Sequence, residues 1–146
     1  MSACTFFGHR DCYGLSPELL RSEIEKLINR GVNEFLVGNH GKFDAMARTA
    51  LRSLQTQYPH IRYKVVLAYL PSKYEESADL TDTVYPEGLE NVHPKFAVEW
   101  RNRYLINSSD ICLCCVNRTW GGAYKFARMA VRRGLSVVNL GSADLG

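Results

Sequence analysis

The chain has 146 residues, of which 46% are hydrophobic and 23% charged, with a formal net charge of +3. That length predicts one domain with a real core. The charge is too small to argue for nucleic acid by itself, and no apolar run approaches the roughly 20 residues of a membrane span.

Met1 to Arg10 shows no basic stretch followed by an apolar core, so a cytoplasmic protein with no membrane partner is expected. Cys4, Cys12, Cys112, Cys114 and Cys115 form no paired framework and no metal-ligand spacing. A disulfide scaffold and a metal site are therefore not expected. Cys112, Cys114 and Cys115 read as small buried hydrophobes, and Cys12, beside His9 and Asp11, is a candidate reactive thiol.

In chain order, Ala3 to Phe7 is a predicted first strand, with Gly8-His9-Arg10-Asp11 at its carboxyl end. Ser16-Pro17-Glu18 is a helix start, with a capping hydroxyl, proline in the first turn and an acid facing the helix dipole. Leu20, Ile24, Leu27 and Ile28 then share one helical face, and Gly31 ends it. Glu34 to Val37 is the second strand, followed by Gly38-Asn39-His40-Gly41. Phe43, Met46, Ala47, Ala50, Leu51 and Leu54 form the strongest helical stripe in the chain, stopped by Pro59.

Tyr63 to Leu70 is the third strand. The segment 71–94 has little periodicity and carries Glu75, Glu76, Asp79, Asp82, Glu87 and Glu90 against Lys73. It reads as an acidic loop insertion, either a flap over the strand ends or a solvated surface loop. Phe96 to Ser108 is a helix with Phe96, Ala97, Trp100 and Tyr104 on one side and Arg101, Asn102 and Arg103 elsewhere. Ile111 to Val116 is apolar without alternation, as in a strand covered on both faces. A polar loop and the pair Gly121-Gly122 lead into a helix with Ala123, Phe126, Ala127, Ala130 and Val131 on its apolar face. Gly134 closes that helix, and Ser136 to Leu140 is the last strand.

Strands alternating with helices predict an α/β fold, a three-layer sandwich around a mainly parallel sheet of about five strands. Right-handed crossovers favour the order 3-2-1-4-5, which reverses between the first and fourth strands. Ligands bind at the carboxyl ends beside such a switch point. That order brings Gly8, His9 and Arg10 beside Thr119, Trp120, Gly121 and Gly122, with Gly38 and Asn39 one strand further out. Glycines and a helix N-terminus suit a phosphate; Arg10 or Arg118 could pair with it, and Trp120 could stack on a base. Asp44 either complements its helix dipole or meets the ligand. No cofactor signature is present: the first loop lacks G-x-G-x-x-G, no acid ends the second strand, and no Walker loop occurs.

Several motifs occur in a familiar order: Thr5-Phe6-Phe7-Gly8-His9-Arg10, Val37-Gly38-Asn39-His40-Gly41-Lys42-Phe43-Asp44, Tyr85-Pro86-Glu87-Gly88-Leu89, Trp100-Arg101-Asn102 and Thr119-Trp120-Gly121-Gly122-Ala123. Together they resemble the SLOG superfamily, and within it the small stand-alone YpsA-like members, over nearly the whole chain. The resemblance implies a Rossmann-like fold and a homo-oligomer. It also implies a nucleotide or nucleotide-derived ligand at Gly8, His9, Arg10, Gly38, Asn39, Asp44, Arg101, Asn102, Thr119, Trp120, Gly121 and Gly122, in the role of sensor or adaptor.

The superfamily includes the Lonely Guy phosphoribohydrolases, which pair Arg-Lys on one helix with P-G-G-x-G-T-x-x-E. Here Arg101-Asn102 stands at the first motif, and Ala127 and Arg128 fall at the acid positions of the second. A nucleotide N-glycosidic-bond hydrolase is thus the alternative, with Arg101 and Glu99 as catalytic candidates and Asp44 as another carboxylate. The superfamily also includes the DNA-processing protein DprA, which makes a single-stranded nucleic-acid binder the second alternative.

Overall fold

The computed structural model describes residues 2–9, 14–69 and 83–146. The candidate residues Arg10 and Cys12, and the 71–82 part of the acidic segment, lie outside the described residues.

In chain order the elements are β1 (Ser2–Gly8), α1 (Pro17–Asn29), β2 (Val32–Val37), α2 (Gly41–Gln57), β3 (Arg62–Val66), β4 (Thr83–Val84), α3 (Ala97–Asn107), β5 (Ile111–Cys115), α4 (Gly122–Arg132) and β6 (Ser136–Asn139). The strands form a single sheet in the order β4-β3-β2-β1-β5-β6, with every pairing parallel. The five strands expected from sequence are present in the expected order. The sixth, β4, is a two-residue edge pairing Val65 with Thr83 and Val66 with Val84. So short a strand leaves no periodicity to read.

Alternation along each strand sorts the core into two layers. Cys4, Phe6, Phe35, Val37, Leu113 and Cys115 pack with Leu20, Ile24, Leu51 and Leu54 of α1 and α2. Phe7, Leu36, Cys112, Cys114 and Val116 pack with Leu105 and Ile106 of α3 and Phe126, Ala127 and Ala130 of α4. Both faces of the central strands are therefore covered, and their unbroken apolar runs follow from that. Burial pushes the Cys4 thiol far up, and the Cys112 thiol rises through its hydrogen bond with Cys114 and its burial. Neither forms a ready thiolate.

Local signals set the boundaries. Ser16 Oγ accepts from Leu19 N at 3.0 Å and caps α1, and Gly31 follows that helix at φ 100°. Residues 83–94 of the acidic segment are anchored at particular points, although Glu87 and Glu90 are exposed. Leu67 N donates to Val84 O at 2.8 Å, and buried Leu89 joins Ala68 and Ala97 in a small third cluster with Tyr85 and Trp100.

The face of α3 differs from the sequence expectation. Its buried residues are Ala97, Arg101, Leu105 and Ile106. Phe96 is exposed, and Trp100 and Tyr104 are half-buried and stack on each other with centroids 6.3 Å apart. An arginine joins the inner face because its head group meets polar partners at the top of the sheet.

Candidate functional site

β1 and β5 are neighbours, with Gly8 opposite Cys115, and His9 N donates to Cys115 O at 3.2 Å. The exits of these two strands therefore lie side by side. Between them and the exit of β2 lies a cleft of about 280 Å³. Its walls include His9, Gly38, Asp44, Arg101, Arg118 and Gly122. This is the crevice outside the carboxyl ends of parallel strands, where the order reverses.

Two helices begin at this cleft. Gly41 opens α2, and Gly122 and Ala123 open α4; all three line the wall. Neither helix has a side-chain cap on its first amides among the described residues. Gly121 precedes α4 at φ 94°, a conformation that L side chains rarely adopt. A Cβ placed on Gly122 would meet open space.

Arg101 reaches from α3 across the sheet end and is 2% exposed. Its Nη1 donates to Val66 O at 2.9 Å and to Asn39 Oδ1 at 3.3 Å, and its Nε to Asn102 Oδ1 at 2.8 Å. Nη2 lies 3.4 Å from His40 Nδ1. One side chain thus ties α3 to the ends of β2 and β3. Burial lowers the Arg101 pKa, and the neighbouring Asp44 and Tyr69 act against that.

Asp44, in the first turn of α2, accepts from His40 N at 3.0 Å through Oδ2. Burial raises its pKa from the ordinary 3.8 to about 6, while the His40 hydrogen bond, Arg101 and Arg48 hold it down. Arg48, which the sequence reading did not single out, donates to Gly38 O at 3.1 Å and fixes the same loop.

Two of the four glycines expected at the ligand, Gly8 and Gly38, have packing roles as well. A Cβ on Gly8 would overlap the Phe43 ring in the core beneath the cleft. A Cβ on Gly38 would lie 2.7 Å from Asp44 Oδ2 and 2.9 Å from Arg101 Nη1. Gly38 therefore lets the carboxylate and the guanidinium close over the end of β2.

Of the sequence candidates, Gly8, His9, Gly38, Asp44, Arg101, Asn102 and Gly122 line the cleft. Asn39 is exposed and is not part of that wall, but its Oδ1 accepts from Arg101 Nη1. Thr119, Trp120 and Gly121 form the exposed rim, where Arg118 Cζ lies 4.1 Å from the Trp120 ring centroid. Glu99 faces α4 instead. Its Oε1 accepts from Lys125 Nζ at 2.6 Å and from Arg103 Nη2 at 3.4 Å. The Lys125 hydrogen bond lowers the Glu99 pKa.

The polar clamp beneath the rim was not singled out from the sequence. Asn139 Oδ1 accepts from Val116 N and Gly141 N, each at 2.9 Å; its Nδ2 donates to Val116 O at 3.0 Å and Ala143 O at 2.9 Å. Asn117 Oδ1 accepts from Ser142 N at 3.0 Å. The C-terminal segment thus holds the exit of β5. A lone Asn at a strand end gives no sequence sign of such a role.

Among solved structures, the chain is similar to DNA processing protein A (DprA) from Streptococcus pneumoniae, with a TM-score of 0.69 over 95% of this chain at 18% identity. The fold is the Rossmann-like fold of DprA. This agrees, at the level of fold, with the resemblance drawn from the motifs. The chain spans about half of the DprA chain, 50%. No family model and no curated protein matches the sequence. Among the described residues, no helix is long and apolar enough to cross a membrane.

Proposed function

We propose that the chain binds a nucleotide or nucleotide-derived ligand in this cleft, as a sensor or adaptor. One observation carries the reading: two helix N-termini, at Gly41 and Gly122, with no side-chain cap among the described residues, open onto one crevice that also holds Arg101 and Arg118. First-turn amides and guanidinium groups favour phosphate, and the Asp44 carboxylate beside them suits sugar hydroxyls. The parallel strand ends fix these groups on rigid elements.

Thermal unfolding against nucleoside monophosphates, ADP-ribose, cyclic dinucleotides and ribose 5-phosphate tests the proposal. A ligand at a hundredfold excess over Kd adds about 2.7 kcal/mol, which raises Tm by about 5 to 10 °C in a chain of this size. A Cβ at Gly122 meets open space at the cleft wall, so Gly122→Leu places its side chain where the ligand would sit and should remove the shift. A flat response across the panel, or a shift undiminished in Gly122→Leu, overturns the reading.

A second reading, N-glycosidic hydrolysis, is favoured by the raised pKa of Asp44. A carboxyl near pH 6 is available in both protonation states and can assist departure of a base or stabilise positive charge developing on the sugar. Water would attack the anomeric carbon and the base would leave protonated. Chromatography of nucleoside monophosphates incubated with the protein decides it. Free base that disappears in Asp44→Asn supports this reading, and release equal in both proteins rejects it. The nucleic-acid alternative has less behind it, since Lys125 pairs with Glu99 and Arg128 bonds Tyr124 on the basic helix.

A further inference from the structure

Trp120 is the most exposed large hydrophobic side chain among the described residues, at 65%. A single exposed aromatic is unremarkable by itself. Its mounting gives it meaning. The Arg118 guanidinium covers the ring at 4.1 Å, and Arg118 also forms part of the cleft wall. The loop is held on one side by Asn117 and Asn139 and on the other by Gly121 at φ 94°. The indole is thus a braced platform at the mouth of the cleft, with most of its surface in solvent.

The size of the cleft points the same way. At about 280 Å³ it falls just below the roughly 300 Å³ at which small-molecule sites usually begin. A sugar phosphate fills such a space, and a base attached to it projects past the rim.

We infer that the Arg118-backed indole of Trp120 is the stacking surface for the ligand's nucleobase, outside the cleft that takes the sugar phosphate. The inference rests on the ligand class proposed above and adds how the base is held. A base stacked at an open rim is read by its flat face and not by its edges. Recognition therefore tolerates different bases and favours the larger purines.

Calorimetric titration of the intact chain with AMP, GMP, UMP and ribose 5-phosphate tests it, in wild type, Trp120→Ala and Trp120→Phe. Stacking is worth about 1–3 kcal/mol per base, so Trp120→Ala weakens AMP about 5- to 150-fold and leaves ribose 5-phosphate unchanged. Trp120→Phe keeps most of the AMP affinity, AMP and GMP bind alike, and UMP binds more weakly. If AMP has no advantage over ribose 5-phosphate in wild type, or both weaken together in Trp120→Ala, the platform is overturned while the cleft reading stands. If no probe binds wild type, both readings fall.

Discussion

Arg101 and Asp44 each crowd the bare Cα of Gly38 at the exit of β2, one from α3 and the other from α2. A methyl group there would stand 2.7 Å from the carboxylate oxygen and 2.9 Å from the guanidinium nitrogen. Gly38→Ala therefore displaces both side chains from the end of β2. Overpacking of this kind typically costs about 1–3 kcal/mol. Urea denaturation should show that loss, and the nucleotide-dependent rise in Tm should shrink with it.

Gly8, on the neighbouring strand, makes the matching contact against Phe43, the residue before Asp44 in α2. Gly8→Ala should destabilise by about 1–3 kcal/mol because the ring must move within a packed core. Combining it with Phe43→Leu should recover part of that loss, giving a coupling between the sites well above the roughly 0.5 kcal/mol expected of independent positions. A double-mutant cycle of denaturation midpoints measures it; strict additivity would contradict the contact.

The Asp44 carboxyl makes stability depend on pH. Its folded pKa lies above the ordinary value, at about 6 against 3.8, so the native state holds more protons than the unfolded chain in that interval. Stability contributed by this group is present at low pH and is lost as pH rises through the window; the difference is on the order of 3 kcal/mol. Asp44→Asn should flatten this component and be more stable than wild type at pH 8. Denaturation of both proteins from pH 4 to 8 checks the sign.

Asn139 holds both backbone groups of Val116 and two groups of the C-terminal segment. Its removal leaves buried polar backbone without these partners, at about 1–3 kcal/mol per unsatisfied group. Asn139→Ala should lower Tm by several degrees. Faster amide exchange at Val116 and Gly141 should accompany it, by comparison with a distant exposed substitution such as Ser22→Ala.

Much of the fold was legible because its signals are local. The stripe from Phe43 to Leu54 and the cap at Ser16 act within one or two helical turns, and the apolar run from Ile111 to Val116 marks a central strand. The right hand of each crossover then leaves few strand orders to choose from. The cleft was legible to the same degree, since it follows from which strands are neighbours. The Arg101 side chain was harder to read. Its helix offers apolar residues on more than one side, so the sequence cannot say which side turns inward.

By itself the sequence determined the succession of elements, the order of the five long strands and the two glycine-bearing loops that come together, because these depend on periodicity and chain handedness. The tertiary structure alone decided that Arg101 is buried while Trp120 stands in solvent, that Gly38 and Gly8 make room for other side chains, and that Asn139 anchors the exit of β5. Those outcomes turn on partners far apart in the chain, such as Val66 O for Arg101, and no local pattern records a partner that only folding brings within reach.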